Sequence, residues 1–308
     1  LACLLHPETA LFIHGSGQQR EPQRGFFRQN NELCIPASTL KGMVRSIYEI
    51  VSNSCLSSMA TQYQAPRSHM RTYGRMFSQA EYDDLHPVYE AADILPQAYQ
   101  LCTHLNHACP TCLLFGMVEH GQEEATPLAG RLLFSDATPI APQVEWLNIP
   151  AAGGGPHPWH STFYLDHTGQ ILGRKLYYHH KNVNDTLALY GDGGRSGLIM
   201  LEGQRGDFRF TVDFQSLTED ELTYLLYTLV LEKDLRHHVG YGKPYGLGSV
   251  QIRVERILFW ERPGSQQPQR FLTLQNKPTQ PKETQKWIER RADRALALWG
   301  SRLDEDFT

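Results

Sequence analysis

The run Gly240-Tyr241-Gly242-Lys243-Pro244-Tyr245-Gly246-Leu247-Gly248 places four glycines in nine residues, directly after the best-marked helix of the chain and directly before a strand. Glycine permits φ > 0 and close approach of another backbone. A phosphate-cradling P-loop has the opposite order: it follows a strand, opens a helix and ends in Gly-Lys-Ser/Thr. That reading is excluded. Two remain. The run lies against the phosphate backbone of a ligand, with Lys243 supplying charge and Tyr241 and Tyr245 stacking faces, or it is an ordinary glycine-rich turn.

The flanking elements set the fold class. Thr218 and Glu221 form a capping box for a helix over Leu217–Arg236, with Leu222, Leu225, Leu226, Leu229 and Val230 on one stripe. Val250–Trp260 reads as the strand after the glycine run. Upstream, Thr9–His14 is a short apolar strand ending at Gly15, Ser16 and Gly17. Pro36 closes an extension, and Ser38 is the expected N-cap of a helix carrying Leu40, Met43, Val44, Ile47, Ile50 and Val51 at helical spacing. Gly130–Thr138 and Asp207–Phe214 read as two further strands. The order strand, helix, strand, strand, helix, strand is that of an α+β, ferredoxin-like palm, the frame of RNA-recognition modules. The palm is expected over residues 1–260. Its insertions fall at about 53–100, at 101–116 and in loops over 139–206. Residues 261–308 form a Gln- and Pro-rich linker and a C-terminal helix over Thr284–Leu303.

No stretch reaches 18 consecutive apolar residues, so no membrane span is expected. The start LACLLHPETALFIH has neither a basic segment nor a cleavage site, so no signal peptide is expected. The net charge of −4 gives no global attraction to nucleic acid. The acids cluster at Glu81–Asp93 and Asp304–Asp306, away from the glycine run, and local placement of Lys and Arg matters more than the sum. Six cysteines in 308 residues are too few for a secreted disulfide scaffold, which points to a reducing, cytoplasmic setting.

Three patches carry chemistry. Ser38, Thr39, Lys41, Gly42 and Arg45 sit at a helix start, where unpaired N–H groups and the helix dipole favour an anion. Lys41 and Arg45, four apart, share a face, and Gly42 admits another backbone. The bland alternative is a capped surface helix with two solvated cations. Cys102, His104, His107, Cys109 and Cys112 fall within eleven residues. A C-x-x-C pair with an earlier Cys and one His makes a closed, structural Cys₃His zinc site. His107 is the favoured fourth ligand and His104 its competitor; free thiols or a redox pair are the alternatives. A zinc deaminase is excluded, because Pro110 lies inside the pair and not before it. Gly173–Lys181 (GRKLYYHHK) is basic and aromatic, with Lys175 and Tyr177 suited to single-stranded nucleic acid. His179, His180, His237 and His238 are candidate acid–base groups. Adjacent histidines on a strand face opposite ways, so at most one of each pair serves a given site, and most such histidines are packing or surface residues.

Together these pieces resemble a known family. IPASTLKGMVRSIYE resembles the I-P-G-S-S-L-K-G-x-x-R signature of the RAMP superfamily, with Ala37 in place of the usual Gly. The Cys-rich segment ending CLLFG, then GRLLFSDA, GRKLYYHH and HVGYGKPYGLGSV follow in the family's order, over about residues 9–258. The likeness is to the backbone, Cas-seven-like subunits of type III CRISPR effector complexes. It implies an RRM-like palm, a thumb, a structural zinc and a grip on CRISPR RNA. Carried over by position, Ser38, Thr39, Lys41 and Arg45 contact guide-RNA phosphates, and Gly240, Gly242, Gly246 and Gly248 lie along that backbone. The thumb falls at 53–100, with Arg67, His69 and Arg71 as contacts. Members that cut target RNA place an Asp in the loop between the first strand and the I-P-x-S helix. Here that loop, GSGQQREPQRGFFRQNNELC, has Glu21 and Glu32 as its only acids. The resemblance therefore implies a subunit that holds CRISPR RNA, beside other effector subunits, and presents it to target RNA without cutting. Its rivals are an active endoribonuclease and a bridging subunit with little RNA contact.

Overall fold

Alternation of apolar and polar residues marks the buried face of Phe208–Phe214 and Ser249–Arg256. In the computed structural model, which describes residues 1–15, 23–57, 62–63, 71–72, 75–76, 89–90, 95–118, 127–150, 165–179 and 198–258, the palm reads β1 (Ala2–Pro7), α1 (Ala37–Val51), β2 (Leu132–Phe134), β3 (Phe208–Phe214), α2 (Glu219–Val230) and β4 (Ser249–Arg256). The sheet order is β2-β3-β1-β4, extended at the β4 edge by His237–His238, and every pairing is antiparallel. This is the ferredoxin-like arrangement expected from the element order. Register places Phe210, Cys3 and Val254 in one cross-strand row and Phe208, Leu5 and Ile252 in the next. All six are buried. α1 and α2 pack on each other and against the sheet, with Tyr48 edge-on to Tyr224. The Thr218–Glu221 capping box is present, and Arg131 forms an ion pair with Glu221.

Several expectations shift. The first strand is Ala2–Pro7, not Thr9–His14. Thr9 to Ile13 is buried throughout and makes only an isolated bridge, Leu11 to Gln204, because it is packed on both sides and not half-exposed. The loops expected over 139–206 include two antiparallel seven-residue strands, Val144–Pro150 and Leu198–Gln204, and the latter pairs in parallel with Gln23–Arg24. Leu147, Ile149, Ile199 and Leu201 supply that sheet's buried face, a pattern that the surrounding glycines and prolines obscure in the sequence. The terminal helix over 284–303 lies outside the described residues.

The chain forms two compact units. The palm belongs to the first: Leu1–Val51, Arg131–Ala151 and Tyr177–Thr308. The second comprises Ser52–Gly130 and Ala152–Leu176. It holds the hairpin Gly116–Val118 with Pro127–Ala129, the short helix Pro110–Phe115, and two-residue ladders within the expected thumb. Among the described residues, no helix is long and apolar enough to cross a membrane.

Candidate nucleic-acid interface and metal centre

The four glycines of the 240–248 run all adopt φ between 71° and 83°. The chain itself demands them. A Cβ at Gly240 would collide with the carbonyl oxygen of Phe12, and one at Gly248 with that of Val239. Backbone bonds staple the run to the buried 9–12 strip: Tyr241 N–H donates to Phe12 O at 2.9 Å and Gly248 N–H to Ala10 O at 3.0 Å. The Thr9 hydroxyl donates to Gly246 O at 2.8 Å. Tyr245, expected to offer a stacking face, is 5% exposed and belongs to the core. Tyr241 is half-buried. The Arg24 guanidinium lies 5.9 Å over its ring, and Phe12 meets it edge-on. Lys243 stays half-exposed, its pKa lowered by burial.

The helix start differs from expectation. α1 begins at Ala37, so Ser38 is its second residue and not its N-cap. The cap comes from across the palm: Asp136 accepts from Ala37 N–H at 2.7 Å. Thr39 and Leu40 N–H donate to Pro36 O. A carboxylate thus stands where an anion would be drawn by the dipole. Ser38 and Gly42 are exposed, and Thr39, Lys41 and Arg45 are half-buried. Arg45 pairs with the buried Glu49 at 3.2 Å. Burial, and next the Arg45 charge, lower the Lys41 pKa. A Cβ at Gly42 would meet nothing within 4 Å.

The outward positions of the palm sheet are Leu133, Arg209, Thr211, Asp213, Ala2, Leu4, His6, Gln251, Arg253 and Glu255. None is Phe, Tyr or Trp; the one ring on this face is His6, whose Nδ1 lies 2.6 Å from Asp207 Oδ1.

The histidine pair divides as strand geometry requires. His237 is buried, with Nε2 against Leu229 O, and desolvation lowers its pKa to about 4. His238 turns the other way and stacks on His179, ring centroids 4.1 Å apart. Both His238 ring nitrogens face carbonyls, Leu247 O at 3.3 Å and Tyr178 O at 3.2 Å. Burial, and next His179, bring its pKa to about 4. A neutral ring has a single N–H and donates to only one of these carbonyls; with both nitrogens turned to backbone oxygens it is poorly placed to act as acid or base. His179 Nδ1 lies 2.9 Å from the Ser249 hydroxyl. Tyr177 is half-buried, edge-on to His238, and Lys175 is exposed. Arg67, His69 and His180 lie outside the described residues.

In the second unit, Cys55, Cys102, Cys109 and Cys112 bring their sulfurs within 4.8 Å of one another. Zn–S bonds of about 2.3 Å in a tetrahedron put sulfurs about 3.8 Å apart. Cys55 Sγ lies 3.6 Å from both Cys112 Sγ and Cys109 Sγ. Backbone N–H groups point at sulfur as they do around thiolates: Cys109 N–H to Cys102 Sγ at 3.2 Å, Cys112 N–H to Cys109 Sγ at 3.5 Å. The thiols share protons unequally. Hydrogen bonds from Cys112 and Cys55 push the Cys109 thiol down, and the bond to Cys109 pushes Cys112 up. None of the four is in a disulfide. The donor set fits a tetrahedral metal ion. The fourth thiol of the cluster is Cys55; His107 and His104, the expected candidates, are exposed and not part of it. His107 ends a 3-10 turn over Leu105–His107. The local spacing hid Cys55, which arrives from the far end of the insertion.

A family model described as the RAMP superfamily matches residues 5–251. No curated protein matches the chain. Among solved structures, a chain of a "Type IV-B CRISPR Complex" is similar at 13% identity and a TM-score of 0.39, covering 86% of this chain and 94% of its own. A likeness at that level adds nothing to the sheet order.

Proposed function

The chain belongs to the RAMP superfamily, and on that premise we propose that it is a CRISPR RNA-binding backbone subunit of a type III interference complex. It works in the cytoplasm beside other effector subunits, holding the guide RNA and presenting it to target RNA. The observation that carries this reading is Gly42. A glycine inside a helix destabilises it by about 0.5–1 kcal/mol relative to Ala, and among the described residues nothing lies within 4 Å of its missing Cβ. Flanked by Lys41 and Arg45, that bare spot admits the sugar–phosphate backbone of another molecule to the helix. Ser38 and Thr39 supply hydroxyl donors on the same turn, and Lys243 and Tyr241 supply a second contact on the glycine run. Tyr177 offers a further aromatic contact in the palm's unit, and Lys175 a separate cationic contact in the second unit. The glycines 240–248 hold Lys243 and Tyr241 in place and do not themselves receive the RNA.

The subunit holds and does not cut. Its 15–34 loop carries no Asp, and His237 and His238 are neutral and engaged. Cys55, Cys102, Cys109 and Cys112 hold one structural zinc. A closed four-thiolate site leaves no open position for a water or substrate, so the metal contributes folding energy.

Binding to a single-stranded RNA of guide length, followed by anisotropy across a salt series, tests the grip. Affinity falls linearly on logarithmic axes. Lys41→Ala with Lys243→Ala reduces the slope by about 1.4, about 0.7 for each lost phosphate contact on a single strand. Unchanged affinity and slope would favour the bridging subunit instead.

A further inference from the structure

Arg174 stands in the basic segment 173–181, where its charge reads as one more RNA contact. The structure gives it other work. Its guanidinium donates to Ser54 O at 3.2 Å and to Cys55 O at 3.4 Å. Cys55 is the remote ligand of the thiol cluster; the other three lie together in 102–112. Something must hold the turn that carries it. From one side a buried hydroxyl network does so. Ser52 Oγ lies 2.7 Å from Ser54 Oγ and 3.1 Å from Thr111 Oγ1, and Thr111 N–H donates to Ser54 Oγ at 3.2 Å. Thr111 stands between Cys109 and Cys112, so the network ties the Cys55 turn to the C-x-x-C pair. From the other side Arg174 clamps it, with Leu56 N–H donating to Tyr99 O at 3.0 Å just beyond.

We propose that Arg174 is the positioning residue of this metal centre, fixing the Cys55 turn through its two carbonyls and bringing positive charge to an all-thiolate site. Four thiolates around a divalent cation carry a net charge of −2, and a guanidinium beside one ligand's backbone offsets part of it. Outer contacts of this kind are conserved in effect because they orient ligands, and their loss lowers metal affinity about 10- to 100-fold. The linkage runs both ways. A bound metal fixes Cys55, and Cys55 fixes Arg174 and its neighbours in 172–176, Lys175 among them. This inference rests on the zinc reading above.

The test loads the full chain with Zn(II) and titrates it with a chromogenic chelator. Wild type holds one zinc per chain, Cys55→Ser loses it, and His107→Ala keeps it. Arg174→Ala weakens zinc about 10- to 100-fold. Arg174→Lys, which keeps the charge but loses the fork, recovers part of that loss; if Arg174→Ala does not fold, this variant alone decides. Hydrogen exchange gives the second readout: amides of 172–176 lose protection when zinc is removed from wild type, while those of β1 and β4 do not. Zinc affinity in Arg174→Ala and Arg174→Lys within twofold of wild type, or 172–176 exchange indifferent to zinc, overturns the assignment while leaving the metal site standing. A wild-type chain that binds no zinc overturns the metal reading, and this inference with it.

Discussion

Two glycine-bearing regions of the palm look alike in sequence and differ in kind. In the 240–248 run the glycines answer to the chain: positive φ and carbonyls of Phe12 and Val239 leave no room for a Cβ at 240 or 248. In α1, a Cβ at Gly42 would meet nothing among the described residues. A glycine that its own fold requires says little about a ligand. A glycine that its own fold would be better without points outward. The proposed interface therefore rests on the lone Gly42, not on the denser run.

The largest effect expected from this contrast is at Gly248. Gly248→Ala combines left-handed backbone strain with a collision against Val239, and should destabilise by about 3 kcal/mol or more; urea denaturation of the full chain measures it. A variant as stable as wild type would return the run to the ligand.

Acid should loosen the same region. His237 and His238 have folded pKa values near 4 against an ordinary 6.5. The fold therefore favours the neutral rings, and the unfolded chain takes up protons first. Their contribution is complete above pH 6.5 and is lost as pH falls from there toward 4. His238→Gln should flatten the urea midpoint over that window, and a midpoint that falls just as steeply would sink the assignment.

At the helix start, Asp136→Ala removes the cap of Ala37 N–H and should destabilise by about 1 kcal/mol. RNA affinity should hold or rise, since a negative charge leaves the interface. A drop in affinity without loss of stability would make Asp136 part of the grip. The smallest effect is the most discriminating. Gly42→Ala should stabilise by about 0.5–1 kcal/mol while weakening RNA binding. Stabilisation with unchanged binding would leave Gly42 unexplained and dissolve the contrast.

Much of this was legible before the structure. The capping box of Thr218 and Glu221 and the leucine stripe behind it place α2 within two residues at its start. The alternation in Phe208–Phe214 and Val250–Val254 assigns their faces. Lys41, Gly42 and Arg45 share one helical neighbourhood because the period of the helix requires it, and three of the four clustered cysteines announce themselves by spacing. These features are local: each depends on residues within a turn or two of chain, and local geometry is periodic.

What the sequence could not show is which distant group meets which. It named Ser38 as the cap of α1, and the fold uses Asp136, 99 residues away. It named His107 as the fourth member of the cluster, and the fold brings Cys55 there instead. It took Thr9–His14 for the first strand, and the fold buries Thr9–Ile13 under the glycine run, leaving Ala2–Pro7 to pair in the sheet. Each of these is settled by long-range packing, where many residues of the right chemistry compete for one position and only the closed structure selects among them. The sequence by itself determined the order of the palm, its helices and the chemistry on offer; the tertiary structure decided who uses that chemistry, because the partners are neighbours in space and not along the chain.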